Sequence, residues 1–398
     1  MMSALLWLLL PVAALTGWWA ARRDMQRHQA KPIPGHYLKG INYLLNEQPD
    51  KAIDLFVNVV DLDADTVETY IVLGNLLRRR GEVERAIRLH QNLIARPDLD
   101  DRTKADALLE LARDYLKSGM FDRAEHLLGG VLDTGCHQLE ALCHLREIYE
   151  QEKEWKKAIH VARNIEREDG GSQQEIIAQY YCELGENALE TAANGNGEEQ
   201  AVQHAHKALG HHRDCSRAHI MLGDIANRRR DYHAAIRHYR DAYEKRPAFA
   251  PRIIRLIHKA YQNQGDLDGF RQFLHQARTQ PHALFPVLSL VEDLRQNGDS
   301  GLEEIFDGTF QSNPSSLVLL REYVEAITEN RVAADQQSMR QILTTLDRYL
   351  ADRPTHECSE CQFQVHKLFW QCPSCQQWDT LRPIEPYAEK TPHRPYLV

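Results

Sequence analysis

The sequence predicts a mostly α-helical protein in three parts: an N-terminal transmembrane helix, a solenoid of repeated helix pairs, and a small C-terminal metal-binding clip. Three observations predict this architecture. An uncharged apolar stretch opens the chain, an alanine recurs through the middle at intervals of 34 residues interrupted by gaps of 38 and 43, and two CxxC pairs lie close together near the end. At 398 residues the chain is long for one compact domain, so we expect an elongated protein of several parts.

The first part is the stretch from Ser3 to Ala21, nineteen residues without a charged side chain. As a helix it would be about 28 Å long, close to the hydrocarbon thickness of a bilayer. Trp18 and Trp19 stand where an interfacial aromatic belt would lie. Three arginines follow the stretch: Arg22, Arg23 and Arg27. A cleavable signal peptide has the opposite order, with its positive charge before the apolar run.

This order of charge sets the expected topology. We expect residues 1–21 to form a single transmembrane helix with the short N-terminus outside, followed by a juxtamembrane linker at 22–34 and a cytoplasmic body. The cysteines outside the terminal cluster are scattered, which fits a reducing compartment better than a disulfide framework. They are Cys136, Cys143, Cys182 and Cys215. The net charge of −9 lacks the basic balance of a general nucleic-acid binder, so no nucleic-acid partner is expected.

The middle part consists of repeats. GINYLLNEQPDKAIDLF, GNLLRRRGEVERAIRLH and GDIANRRRDYHAAIRHY each place an alanine twelve residues after the opening glycine. The glycines are Gly40, Gly74 and Gly223, and the alanines are Ala52, Ala86 and Ala235, with weaker copies centred on Ala124, Ala158 and Ala201. The period of 34 and the Gly…Ala pattern resemble the tetratricopeptide repeat, in which small residues let paired helices approach closely and pairs stack to bury their apolar faces. We expect about nine helix pairs over residues 35–352.

A solenoid of this kind is typical of binding rather than catalysis. The sequence contains no P-loop, GxGxxG, GxSxG or HExxH motif, so we do not expect an enzyme. Two basic clusters fall at nearly the same place in two repeats, where the first helix of the pair ends. They are Arg78, Arg79, Arg80, Arg228, Arg229 and Arg230. These arginines are candidates for binding an acidic partner, and the alternative is that they complement the negative end of a helix dipole.

The last part contains CSECQFQVHKLFWQCPSC. Cys358 and Cys361 form one knuckle, and Cys372 and Cys375 form the other. Four thiolates at this spacing can hold one zinc or iron ion tetrahedrally, with metal–sulfur distances of about 2.3 Å. Four cysteines fill every coordination position, whereas a catalytic zinc keeps one open for water. The pattern therefore predicts a structural clip rather than a hydrolytic site.

The clip, residues 355–383, is too small to fold without a metal. Only a few residues join it to the last predicted helix, so we expect it to sit against the end of the solenoid. Four apolar residues of the spacer are expected to cover the metal: Phe363, Val365, Leu368 and Trp370. Residues 384–398 contain three prolines and no core, which predicts a flexible tail.

The segments LLLPVAA, GINYLLNEQPDKAIDLF, GNLLRRRGEVERAIRLHQNL, YYCEL and WQCPSCQQW, in this order, resemble the lipopolysaccharide assembly protein B family of Gram-negative bacteria over nearly the whole chain. The resemblance implies a single-pass inner-membrane adapter with a periplasmic N-terminus and a cytoplasmic body, which regulates lipopolysaccharide biosynthesis. Such adapters present the lipid A-pathway deacetylase, as client, to a membrane-bound AAA+ protease. The membrane helix contacts other lipopolysaccharide-assembly membrane proteins. The resemblance also implies a rubredoxin-like clip with Cys358, Cys361, Cys372 and Cys375 as metal ligands.

The knuckles depart from the rubredoxin pattern in one respect. Gln362 and Gln376 follow the second cysteine of each pair, where rubredoxins usually have a glycine that eases a positive-φ turn. This departure weighs against electron transfer and leaves metal binding intact. An alternative function nevertheless stays open, an iron–thiolate electron carrier docked to a membrane oxidoreductase through its repeats. A periplasmic repeat chaperone is disfavoured by the positive charges after the apolar run.

Overall fold

The computed structural model describes residues 67–97, 99–191, 196–246, 249–277, 286–291, 316–329, 333–351 and 353–384, and a few isolated helical positions. The predicted transmembrane helix, linker and tail lie outside these residues, as does nearly all of the repeat that opens at Gly40. Within the described part of the chain, no helix combines the length and apolarity that crossing a bilayer requires. The chain divides into two compact units between Glu152 and Lys153.

The first unit consists of antiparallel helix pairs. Its helices are α1 (Val67–Arg79), α2 (Val83–Ile94), α3 (Asp101–Lys117), α4 (Phe121–Thr134) and α5 (Gln138–Gln151). Capping residues in the local sequence set where some of these helices begin and end. The Asp100 side chain caps α3 by accepting from the Thr103 backbone N–H at 2.8 Å, and Gly135 ends α4 at φ 73°.

The second unit continues the helix pairs and adds the clip. Its helices are α6 (Trp155–Asp169), α7 (Gln174–Thr191), α8 (Gly197–His211), α9 (Ser216–Arg228), α10 (Tyr232–Lys245), α11 (Ala250–Gln264), α12 (Leu267–Ala277), α13 (Leu317–Glu329) and α14 (Ala333–Ala351). One core cluster runs from Ile220 in α9 through Tyr239 and Ile253 to Phe273 in α12. The predicted mostly helical repeat architecture is therefore confirmed.

The small residues of the repeat pattern lie where paired helices approach each other. The described alanines of the pattern are fully buried: Ala86, Ala124, Ala158, Ala201 and Ala235. A Cβ on Gly74 would lie 2.2 Å from the His90 ring, and a Cβ on Gly223 would lie 2.4 Å from the Tyr239 ring. The expectation that small side chains permit close helix packing is confirmed at these positions.

Replacing Gly223 with alanine should lower the free energy of unfolding by about 1–3 kcal/mol, the usual cost of overpacking. The Tyr239 ring cannot easily yield, because it is 1% exposed and its hydroxyl donates to Asp224 Oδ1 at 2.6 Å. Gly210→Ala in α8 is the control, since a Cβ there meets nothing within 4 Å, and alanine should stabilise that helix. The free energy of unfolding of both variants is measured by urea denaturation. A Gly223→Ala protein as stable as the wild type would contradict this packing.

The clip is a three-stranded antiparallel sheet in the order β2-β1-β3. Its strands are β1 (His356–Cys358), β2 (Gln364–Val365) and β3 (Leu381–Pro383). His356 lies opposite Val365 on one side and Pro383 on the other. The core of the clip consists of Cys358, Cys372 and Leu381, so the cysteines themselves form much of its interior.

Two of the four residues predicted to cover the metal lie against the cysteine core. Val365 and Leu368 pack against the cysteine core as expected. Phe363 is 44% exposed instead, and Trp370 packs against the helices of the second unit. The expectation for Phe363 and Trp370 was wrong, because four apolar residues in one short spacer cannot all face a core as small as this one.

Candidate metal centre and its docking surface

Each pair of cysteines sits in a tight backbone turn of the same form. The Gln362 N–H donates to the Cys358 carbonyl at 2.9 Å, and the Gln376 N–H donates to the Cys372 carbonyl at 2.9 Å. Gln362 and Gln376 adopt φ values of 60° and 58°. The chain thus forms the positive-φ knuckle turn without glycine, at a cost of about 1–2 kcal/mol for each residue.

The four sulfur atoms are spaced as a tetrahedral metal site requires. All four lie within 4.8 Å of one another, with Sγ–Sγ distances of 3.6 Å from Cys358 to Cys375 and 3.7 Å from Cys361 to Cys372. Metal–sulfur bonds of about 2.3 Å in a tetrahedron place the sulfurs roughly 3.8 Å apart. A disulfide would need about 2.05 Å. The geometry therefore fits a shared metal ion and not a pair of disulfides.

The electrostatics of the cluster also favour a bound cation. Burial acts to raise the pKa of Cys358, but hydrogen bonds from the Cys361 and Glu360 backbone and from Thr380 bring it down to about 6. Burial and hydrogen bonds with the neighbouring thiols raise the pKa of Cys375 to about 12. The Cys358 thiolate is thus favoured, whereas a negative charge on Cys375 is opposed. A divalent cation offsets that charge and allows all four sulfurs to act as ligands.

The clip docks on helices of the second unit, and Trp378 makes the first set of contacts. Trp378 meets Trp155 of α6 and Tyr180 of α7 edge to face, with ring centroids 5.9 Å apart in both pairs. Trp155 and Tyr180 stack on each other at 5.8 Å, and both are buried. Asp379 forms an ion pair with Arg246, just after α10. Burial raises the pKa of Asp379, and Arg246 and Arg382 act in the opposite direction.

Trp370 makes the second set of docking contacts. Its ring lies 5.3 Å from the Phe249 ring, and the guanidinium groups of Arg217 and Arg252 lie 5.6 and 5.8 Å from its centroid. Arg217 is 3% exposed, and its guanidinium donates to Glu183 and Glu186, with both Nη2–carboxylate distances at 2.7 Å. A fixed cation under an aromatic face gives a contact of about 0.5–2 kcal/mol.

The expectation that the clip sits against the end of the solenoid is therefore wrong. The few residues between α14 and the clip fix only where the clip begins. The clip contacts side chains of α6, α7, α9 and α11, which come more than a hundred residues earlier in the chain. Sequence reasoning missed Trp155, Tyr180 and Arg217 as docking residues, and no local pattern marks them.

The predicted arginine clusters have mixed surroundings. Arg78 is largely buried and pairs with Glu110 and Asp114, each at 2.7 Å. Arg80 and Arg229 are exposed and form ion pairs of 3.3 and 3.0 Å with Glu82 and Glu198. The remaining three are exposed: Arg79, Arg228 and Arg230. Arg78 and Arg79 end α1 and Arg228 ends α9, as the helix-dipole alternative requires.

Glu110 and Asp114 were also missed, although the sequence carries a signal for them. They stand 32 and 36 residues after Arg78, about one repeat along the chain, and four residues apart on one face of α3. Asp114 also contacts the fully buried His90, with an Nδ1–Oδ2 distance of 2.6 Å. Arg78 thereby connects α1 to α3 within the first unit.

Comparison with known proteins finds tetratricopeptide repeats and a C-terminal metal-binding domain in this chain. Residues 356–383 match a family model described as a rubredoxin metal binding domain, and residues 69–104 and 192–250 match tetratricopeptide-repeat models. Lipopolysaccharide assembly protein B of Escherichia coli K12 is 30% identical over 387 residues, covering 96% of this chain and 98% of that protein. The Haemophilus influenzae Rd protein of the same name is 30% identical over 397 residues, with the same shares covered.

Among solved structures, the crystal structure of YrrB, a tetratricopeptide-repeat protein with an unusual peptide-binding site, is 16% identical. It covers 48% of this chain and 92% of its own, with a TM-score of 0.33. That score is too low to support an argument about this chain. The two lipopolysaccharide assembly proteins, in contrast, match nearly end to end, through both the repeats and the cysteine-containing domain.

Proposed function

The chain belongs to the lipopolysaccharide assembly protein B family, and on this premise we propose that it is a non-catalytic adapter of the cell inner membrane. It presents the lipid A-pathway deacetylase to a membrane-bound AAA+ protease and so regulates lipopolysaccharide biosynthesis. The observation that carries the proposal is the docking of the clip on the repeats through Trp370, Trp378 and Asp379. Clip and repeats form one binding surface, in which four cysteines would leave a metal no open position for catalysis.

Cys358, Cys361, Cys372 and Cys375 would hold the metal, zinc or iron, as a structural ion. When bound, it supplies four metal–sulfur bonds that hold the two knuckles together. The chain's own residues do the rest: Val365 and Leu368 cover the sulfur cluster, and Trp370 attaches the folded clip to the helices. The electron-carrier alternative is not favoured, because both named relatives are lipopolysaccharide assembly proteins.

Partner binding is assigned to exposed basic surface of the repeats. Arg79 and Lys117 line an open groove of about 410 Å³ in the first unit, together with Arg78, Arg113 and Glu147. Arg228 and Arg230 provide a second exposed basic site at the end of α9. Both surfaces suit an acidic segment of the deacetylase or of the protease. Residues 1–21 anchor the body and contact other lipopolysaccharide-assembly membrane proteins.

Removing residues 1–21 should leave a folded body that fails to promote degradation of the deacetylase in cells. Confinement to one membrane raises the effective concentration of adapter and protease, and avidity gains of this kind reach about 10²–10⁴. The measurement is the half-life of the deacetylase in cells that contain only the truncated chain. We expect it to equal the half-life in cells without the protein.

The control fuses the same truncated body to an unrelated transmembrane helix. Recovery of degradation with the fusion would assign the defect to lost anchoring, whereas failure would assign it to contacts of the native helix. Full activity of the soluble, unanchored body would contradict the tethering role.

A further inference from the structure

Helices α9 and α10 bring together three potential metal ligands away from the cysteine cluster. They are His219 of α9 and His238 and Asp241 of α10, and their ligand atoms lie within 4.8 Å of one another. His219 Nδ1 is 3.8 Å from Asp241 Oδ2, and the two imidazole rings are 6.0 Å apart. His238 and Asp241 are three residues apart, so they share one face of α10. The helices are held in close contact by Gly223 and Tyr239, which keeps this spacing fixed.

The two histidines each present an unsatisfied nitrogen. Nδ1 of His219 and Nδ1 of His238 are buried and have no hydrogen-bond partner within the described part of the chain. An unpaired buried polar atom costs about 1–3 kcal/mol, so this arrangement needs an explanation. The 3.8 Å separation from Asp241 is too long for a hydrogen bond, yet close to the spacing of two ligands that share one ion.

The protonation of these histidines suits metal binding. Burial lowers the pKa of both His219 and His238, which keeps the rings neutral with a free lone pair. The Asp241 charge and a hydrogen bond to the Arg213 backbone act to raise the pKa of His219. The neutral imidazole is the form that binds a metal ion.

We propose that His219, His238 and Asp241 form a second metal site, which binds Zn²⁺ through two imidazole nitrogens and one carboxylate oxygen. The nearby basic side chains are Lys245, Arg237 and His206, and the Lys245 charge is offset by an ion pair with Asp214 at 2.8 Å. A bound ion would join α9 to α10 in the repeat that supplies Arg217 to the clip.

The test is a Zn²⁺ titration of the purified full-length chain against a chromophoric chelator, after one equivalent of Zn²⁺ has filled the cysteine cluster. The wild type should take up a second equivalent. Asp241→Asn and His238→Gln should weaken that second equivalent at least about tenfold, the lower limit for losing even an outer-shell partner, and leave the first unchanged. His233→Gln is the matched control, because His233 lies on α10 outside the cluster and is exposed.

A wild-type chain that binds one equivalent alone would overturn the proposal. So would a second equivalent that Asp241→Asn and His238→Gln bind as tightly as the wild type does. The Asp241 side chain is 44% exposed, so Asp241→Asn keeps the test decisive if His238→Gln does not fold. As an independent readout, excess Zn²⁺ should raise the thermal unfolding midpoint of the wild type more than that of Asp241→Asn.

Discussion

A chain in which Cys358 and Cys372 are both replaced by serine should lose its metal and unfold residues 353–384. The substitutions remove one ligand from each knuckle, and both cysteines are almost fully buried in the core of the clip. Metal binding by small domains of this type contributes about 10–16 kcal/mol for zinc-finger peptides, far more than so small a core can supply. The expected result is an unfolded clip attached to a folded repeat body.

Unfolding of the clip should destabilise α6, α7 and α9, which contact it, rather than the last helix pair. Trp155 and Tyr180 would lose their edge contacts with Trp378, each worth about 0.5–1.5 kcal/mol, and would become exposed to solvent. Limited proteolysis together with metal analysis measures the effect. The control is Cys136→Ser with Cys143→Ser, in the first unit. Unchanged protease resistance of residues 353–384 in the metal-free variant would contradict a metal-dependent clip.

Trp370→Ala should have a different effect, detaching a clip that still holds its metal. Trp370 contributes to the contact with Phe249, Arg217 and Arg252 but not to the cysteine core. Truncating a fully buried tryptophan costs about 3–5 kcal/mol, and this partly buried one should cost somewhat less. We expect faster hydrogen exchange in α9 and around Phe249, with full metal content retained.

Phe369→Ala provides a matched control for that variant. Phe369 is the neighbouring aromatic residue, is 45% exposed, and should tolerate truncation with little change. Equal exchange rates in Trp370→Ala and Phe369→Ala would show that Trp370 does not hold the clip in place. Loss of metal from Trp370→Ala would show instead that docking and metal binding cannot be separated.

The repeats and the cysteine cluster could be predicted because each is encoded locally. The alanines of the repeat pattern are the residues that are buried between paired helices. The two CxxC pairs, with ten residues between them, bring four sulfurs together. The docking of the clip could not be predicted in this way. Arg246 and Asp379, for example, are separated by 133 residues and belong to no common pattern.

The knuckle turns show a second limit of sequence reasoning. Glycine at the positions of Gln362 and Gln376 would make a positive-φ turn easy, and its absence suggested a departure from the rubredoxin knuckle. The backbone adopts the turn at both glutamines all the same. The metal–sulfur bonds and the hydrogen bonds of the knuckle can offset a cost of about 1–2 kcal/mol per residue. Local conformational preference is therefore a weak guide where several contacts fix one turn.

We propose that the docked clip and the repeats act as one adapter for degradation of the lipid A-pathway deacetylase. The most direct measurement is the half-life of that deacetylase in cells depleted of the chain and re-supplied with the wild type, Trp370→Ala or Phe369→Ala. The account predicts a longer half-life on depletion, restored by the wild type and by Phe369→Ala but not by Trp370→Ala. A half-life that does not change on depletion would contradict the adapter function, and full restoration by Trp370→Ala would contradict the need for docking.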